Sequence, residues 1–418
     1  MKPAAMAPKL RFPEFRDAEE WKETTLGKLG ELISGLTYSP DDVRDSGLLV
    51  LRSSNVQNGE ISLGDNVYVT PNIKGANLSK PNDILICVRN GSKALIGKNA
   101  LIPEGMPLCT HGAFMTVFRS RSAKFVFQLF QSAAYQNQVD ADLGATINSI
   151  NGSHFIKYKF CVPHPEEQQK IADCLASIDE LLTFEAQKLA ALKAHKKGLM
   201  QQLFPAEGET LPKLRFPEFQ DAGEWESIPL GQLAIRCTQK NGQGKLNRVL
   251  TNSAEFGVVN QRDYFDKDIA NQSNLEGYFV VEKGDYVYNP RISTTAPVGP
   301  ISRNNLEAGV MSPLYTVFRF NNSRNDFYAY YFKTSGWHQY MRQASSTGAR
   351  HDRMAIINSD FMAMPLPVTH PEEQQKIADC LSTLDDLITA QAQQLTTLKT
   401  HKRGLMQQFF PALDEVSA

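Results

Sequence analysis

A chain of 418 residues, 42% of them hydrophobic and 21% charged, has the make-up of soluble globular protein and exceeds what one core usually fills, so two or three domains are expected. A formal net charge of −1 excludes a globally basic nucleic-acid binder, and any such surface has to be a local patch. No run of eighteen apolar residues could span a membrane, so no membrane partner is expected, and Met1 to Leu10 lacks the apolar region of a secretory signal.

The string Lys-Leu-Arg-Phe-Pro-Glu-Phe occupies Lys9 to Phe15 and returns unchanged from Lys213 to Phe219. Trp21 and Trp225 follow 204 residues apart, and so do Leu26-Gly27 and Leu230-Gly231. Repetition at that period is a duplicated domain, not a solenoid of short units. Within the halves, Leu48 to Leu51, Asp83 to Val88 and Phe114 to Phe118 are strand-like runs bounded by turn formers. Their counterparts are Arg248 to Leu250, Asp285 to Tyr288 and Leu314 to Phe318. Aromatic-rich stretches, Phe125 to Tyr135 and Phe327 to Tyr340, read as helices. The fold class expected is α+β, with two mixed α/β domains of about 140 residues, each leading into one long helix.

That helix is the best-defined element. His164 to Pro205 and His370 to Pro411 agree at 29 of 42 positions. Pro165 suits a first helical turn, and Glu166 and Glu167 suit the positive end of a helix dipole. Apolar residues then recur at steps of four and three: Ile171, Leu175, Ile178, Leu182, Leu189, Leu192, Leu199 and Leu203. The second copy repeats the stripe with Ile377, Leu381, Leu384, Ile388, Leu395, Leu398, Leu405 and Phe409. Both are coiled-coil seams, broken at Glu185 and Lys196 in one and at Gln391 and Lys402 in the other. Two such stripes most simply bury each other, and a helix of ~39 residues is a rigid spacer of ~58 Å. The resulting division is 1–162, 163–206, 207–367 and 368–418.

The loops between the strands carry hydrogen-bonding side chains. In the first half they hold Arg52, Ser53, Ser54, Asn55 and Gln57, then Arg89, Asn90, Ser92 and Lys93, then Asn148, Asn151 and His154. In the second they hold Asn252 and Ser253, then Arg262, then Asn289, Arg291, Ser293 and Thr294, and finally Arg350, His351 and Arg353. Arg, Asn, Gln and Ser read base edges, while Lys, Ser and backbone N–H groups hold phosphates. A solvated turn is the bland alternative for any single loop. Corresponding loops fall in both halves with different residues, which favours reading. Lys plus Arg exceed Asp plus Glu by 14 to 11 from Trp21 to Val162 and by 15 to 12 from Trp225 to Pro367.

Catalytic patterns are missing. The sequence has no phosphate-binding Gly-x-x-x-x-Gly-Lys loop, no Phe-x-Gly-x-Gly cofactor loop and no Asn-Pro-Pro-aromatic tetrad. Asn289-Pro290-Arg291 resembles that tetrad only superficially, because its third residue is a long cation. Cys87, Cys109, Cys161, Cys174, Cys237 and Cys380 form no Cys-x-x-Cys pair or metal-like spacing, as in a reduced cytoplasmic protein.

Two unlike halves, each ending in Pro-Glu-Glu-Gln-Gln-Lys-Ile-Ala and a long helix, resemble the specificity subunit of type I restriction-modification enzymes. The matching residues are Leu51 to Val56, Asn82 to Ile86, Cys161 to Ala172 and the copy from Leu366 to Ala378. The resemblance implies that each half is a target-recognition domain for one part of a bipartite, asymmetric DNA sequence. It also implies that the helices pair antiparallel, set the half-site spacing and bind modification subunits, read as two. Those subunits would carry adenine methylation with S-adenosylmethionine, no cofactor being expected in this chain, and a restriction and translocase subunit would cut. Arg248 to Ser253 departs from the Leu-Arg-Ser-Ser-Asn string of the first half. The competing reading is a coiled-coil scaffold whose duplicated domains bind proteins.

Overall fold

A computed structural model describes residues 8–143, 148–242, 244–264, 272–345 and 352–410. The chain divides into two units, Met1–Gln187 with Gln393–Ala418, and Lys188–Ala392. Each therefore contains one mixed α/β domain, the start of its own long helix and the end of the other.

In the first unit a four-stranded antiparallel sheet runs in the order Gly30–Ser34, Met115–Ser120, Ile84–Cys87, Asn99–Leu101. Val117 lies opposite both Ile33 and Leu85. Successive side chains leave a strand on opposite faces, and here both faces are covered, which is why Ile84 to Cys87 reads as an unbroken apolar run. Leu85, Cys87 and Val117 pack with Leu49 and Leu51 of a second sheet, in which Leu48–Leu51 runs parallel to Cys109–His111. Ile84, Ile86 and Phe118 face the helices Ala123–Leu129 and Ala133–Asp142. That last segment, read as one helix, is two, because Ser132 ends the first turn system and accepts the Tyr135 N–H at 3.3 Å as a cap.

The second unit repeats the main sheet in the same order: Ala234–Arg236, Thr316–Phe320, Tyr286–Tyr288, Ile301–Arg303. Val287 and Val317 face one way, and Tyr286, Tyr288, Phe318 and Phe320 the other. Rings replace aliphatic groups on that face, and the Tyr286 hydroxyl finds the Asn325 carbonyl at 2.8 Å. Its aromatic stretch is again two helices, Asp326–Tyr331 and His338–Ala344. Two expectations shift. Thr251, Asn252 and Ser253 belong to the buried strand Leu250–Ser253, because Gly257–Asn260 pairs alongside them. Phe114 and Leu314 precede their strands in turns.

The long helices are Pro165–Leu203 and Pro371–Phe409, 39 residues each. In the first unit Asp179 meets Lys402 at 2.5 Å and Glu185 accepts from Gln394 at 3.2 Å, so numbering rises on one helix as it falls on the other. The pairing is antiparallel. In the second unit the matched pair is Lys196 with Asp385, also at 2.5 Å. Ile171, Leu175, Leu203, Ile377, Leu381, Leu384 and Phe409 are buried. Ile178, Leu182, Leu189, Leu192, Leu199, Ile388, Leu395, Leu398 and Leu405 are half-buried, and the polar interruptions Glu185 and Gln391 are buried in the seam.

The repeated Lys-Leu-Arg-Phe-Pro-Glu-Phe string has a mechanical role. Arg11 grips Glu167 through two hydrogen bonds of 2.9 and 2.8 Å, and Arg215 grips Glu373 at 2.6 and 2.7 Å. Glu167 and Glu373 are essentially inaccessible. Such fork-to-fork pairs fix orientation as well as charge. Glu14 adds a contact to Lys170 at 3.1 Å, and Glu218 pairs with Lys376.

Candidate nucleic-acid interface

In the first unit three loops meet. Ser53–Asn55 is one tight turn after Leu48–Leu51, and Asn55 closes it from inside. Its Oδ1 accepts the Arg52 N–H at 2.9 Å, and its Nδ2 donates to the carbonyls of Ser62 at 2.9 Å and Asp65 at 3.1 Å. Asn55 is wholly buried and so is a clamp, not one of the exposed readers expected. Arg52 is half-exposed and ion-paired to Asp65 at 2.8 Å, while Ser54 and Gln57 are exposed, the Gln57 amide donating to the Ser54 carbonyl at 3.3 Å.

The second loop follows Ile84–Cys87. Asn90 accepts the Ser92 N–H at 3.0 Å through Oδ1 and donates through Nδ2 to Ser53 Oγ at 3.3 Å, so it folds its own loop and ties it to the first. The Cys87 thiol lies beneath, and burial raises its pKa. The third loop joins through Asn148, whose amide donates to the Gly91 carbonyl at 3.1 Å, and through a bridge between Arg89 and Ser149. Arg89, Ser92 and Lys93 are exposed on this face. Asn151 instead caps the short helix Gly152–Phe155 by accepting the Ser153 N–H at 2.9 Å, and His154 contacts Asp142 at 3.0 Å. Those two side chains are occupied by local structure, since each has its partner within the same segment of fold.

The second unit assembles the same way from different residues. Asn289 accepts the Arg291 N–H at 3.0 Å and donates to the Asn252 carbonyl at 2.9 Å, an inter-loop tie like that of Asn90 to Ser53 but made from the place that Cys87 holds in the first unit. Arg291 bridges to Arg353, as Arg89 does to Ser149. Asn252 is buried, its amide held by the carbonyls of Val287 at 2.7 Å and Pro300 at 3.1 Å, and buried Ser253 accepts the N–H groups of Glu255 and Phe256. Both are therefore structural, a correction that follows from their place in a strand. Arg262 and Thr294 are exposed, and Ser293 Oγ accepts the Ala296 N–H at 3.1 Å. Arg291, Asn289 and Arg353 line a cleft of about 500 Å³ with Tyr315 and Leu314. Arg350 and His351 lie outside the described residues.

One feature of each face was not singled out from sequence. Phe114 and Leu314 are 59% and 60% exposed, at the same place before each Thr-Val-Phe-Arg strand. Their equal distance from those repeated strings was the available signal. Below the faces, Arg119 holds buried Asp83 at 2.8 and 2.7 Å, and Arg319 holds buried Asp285 at 2.6 and 3.0 Å. The carboxylate hydrogen bonds push both guanidinium pKa values up. Among the described residues no three His, Cys, Asp or Glu side chains gather as a metal site requires, and no helix is long and apolar enough to cross a membrane.

The geometry can be set beside known proteins. The profile of the type I restriction modification DNA specificity domain matches residues 18–194 and again 223–400. The StySPI type I restriction enzyme specificity subunit of Salmonella potsdam is 26% identical over 59% of this chain, and the match spans about half, 54%, of that relative's length. A putative type I restriction enzyme specificity subunit, MjaX of Methanocaldococcus jannaschii, is 25% identical over 93% of this chain and 92% of its own. The crystal structure of a type I restriction-modification S subunit from M. genitalium superposes with a TM-score of 0.58 at 15% identity, covering 98% of this chain and all of that one, a likeness of fold.

Proposed function

Since the chain belongs to the family of type I restriction modification DNA specificity domains, both halves matching its profile, we propose that it is the sequence-reading subunit of such an enzyme. Its substrate is double-stranded DNA carrying two unlike half-sites. Residues 21–162 read one and residues 225–367 the other. The observation that carries this reading is the paired face: an Asn after the central strand ties two loops together in each unit, and apart from the matched Arg89 and Arg291 the exposed residues around it differ. A shared frame with unlike side chains is what two readers of unlike sequence require.

The antiparallel helices act as the spacer that sets the gap between half-sites, and their outward faces recruit two modification subunits and a restriction and translocase subunit. Adenine methylation with S-adenosylmethionine belongs to the modification subunits, and this chain works in the cytoplasm as a recognition subunit without an active site. Exposed Leu181 and Phe184 on one helix and Leu387 on the other supply apolar surface for partners. Exchanging residues 21–162 for the equivalent part of another family member tests the reading. Mapping methylated adenines in cells that make the hybrid should show one half-site changed and the other kept. A change in both halves would refute modular readers. A methylation map identical to the parent's would remove the first domain from recognition.

A further inference from the structure

Resting on the reading of these loops as DNA-facing, we infer that Phe114 contacts a thymine methyl group and aligns Arg89 on a neighbouring guanine. Phe114 is a large apolar side chain left 59% exposed on a backbone that is pinned. Its carbonyl accepts the N–H groups of Val88 at 3.0 Å and Arg89 at 3.1 Å, and the turn around it is closed by Met115 N–H to the Gly112 carbonyl at 2.8 Å. The Arg89 guanidinium carbon lies 5.8 Å from the ring centroid, within cation–π range. A guanidinium laid on a ring keeps its N–H edge available for an acceptor pair.

The second unit builds the same turn. Tyr315 N–H donates to the Ser312 carbonyl at 3.0 Å, and Leu314 stands 60% exposed at its tip. Two apolar tips held at matched places beside an arginine-bearing loop are not packing groups, because neither is covered by its own unit. In the major groove only thymine offers a methyl group, and arginine pairs in bidentate fashion with guanine O6 and N7. A ring and a guanidinium side by side fit thymine next to guanine.

The test uses the full chain assembled with its modification subunits and a duplex carrying the target sequence, first mapped from methylated adenines. Each thymine is replaced singly by deoxyuridine, which removes only the methyl group, and affinity is followed by fluorescence anisotropy. Wild type should lose about fourfold at one thymine beside a guanine in a single half-site, the worth of one buried methyl. Phe114→Ala should bind the natural duplex more weakly and no longer distinguish that deoxyuridine. Phe114→Leu should keep part of the distinction, and Leu314→Ala should leave it intact. The inference fails if no thymine is sensitive, or if the sensitivity survives in Phe114→Ala. It also fails if that variant loses modification subunits while keeping its DNA discrimination. Sequence-specific binding that Phe114→Ala leaves unchanged would sink this inference alone. A wild-type complex that bound no duplex would sink the DNA reading and this inference together.

Discussion

Set side by side, the two units repeat their buried ion pairs and differ in the side chains that fill their cores and in most of those their loops expose. Arg11 with Glu167 and Arg215 with Glu373 are the same buried lock, as are Asp83 with Arg119 and Asp285 with Arg319. On the faces above them Arg89 and Arg291 hold matched places, but Asn90 ties its loop to a serine hydroxyl and Asn289, from a different position, ties its own to a backbone carbonyl, and Lys93 and Ser293 differ beside them. The repeated pairs form one class, which holds each domain together and on its helix, and the unlike exposed loops form another. The helices belong to the first class, and their length is a property the faces do not share.

The largest effect is expected from shortening the helices and leaving both faces alone. Deleting residues 180–186 and 386–392 together removes one heptad from each helix and keeps Asp179 with Lys402 and Asp385 with Lys196 in register. Seven residues at 1.5 Å each shorten the strut by roughly 10 Å, about three base pairs. Methylation mapping should show a changed gap between two unaltered half-sites. Altered bases with an unchanged gap would separate spacing from the helices.

The buried arginine–glutamate locks carry the next largest effect. Arg11→Met leaves Glu167 buried without its guanidinium and should cost about 3 kcal/mol or more, the usual penalty for breaking a buried pair. Arg215→Met should cost somewhat less, because Glu373 keeps the Thr369 hydroxyl, whereas Arg11 is the side chain that holds Glu167. Urea denaturation of the full chain measures both. Equal losses would mean that the hydroxyl contributes nothing.

This division explains what could be read from the sequence. The long helices were legible because heptad spacing is set by burial of one stripe, and Ile171 to Leu203 sit buried or half-buried. The strand Leu48–Leu51 was legible for the same reason, as a run buried on both faces. The loops were found as loops, but the direction of each side chain was not. Asparagine serves equally as a base reader and as a turn clamp, so nothing in Arg52-Ser53-Ser54-Asn55 says that Asn55 points inward. Asn252 was misplaced because a strand of Thr, Asn and Ser lacks the apolar signature of one, its burial being supplied by distant carbonyls. Phe114 reads as part of its strand because an apolar residue next to such a run extends it.

Removing the tie between loops tests whether the shared frame matters equally in both units. Asn90→Ala and Asn289→Ala each delete an inter-loop hydrogen bond and the turn that the same side chain closes, which should cost about 1–2 kcal/mol. Each variant should relax base preference at one or two positions of its own half-site, read by methylation mapping. Asn289→Ala should be the more damaging, since it also leaves the Asn252 carbonyl without that donor in a buried strand.

The smallest effect separates the two helix locks. Asp179 is held by Lys402 and by the Gln128 amide at 2.9 Å, while Asp385 is held by Lys196 and by the Tyr330 hydroxyl at 3.1 Å. Lys333 also lies over the Tyr330 ring at 5.2 Å, so the second lock has a reserve cation. Lys402→Met should therefore cost about 1 kcal/mol, and Lys196→Met less. The two also differ in pH dependence. Burial, and then Lys196, hold the Lys333 ammonium below the usual lysine range. A depressed lysine binds fewer protons folded than unfolded, so stability rises with pH from the folded value towards 10.5. Lys196→Met removes the neighbouring charge and lets Lys333 recover, which should flatten that rise, while Lys402→Met should leave it as it is. Denaturation midpoints across the alkaline range decide it, and an equal slope in the two variants would mean that the two cations do not act on each other.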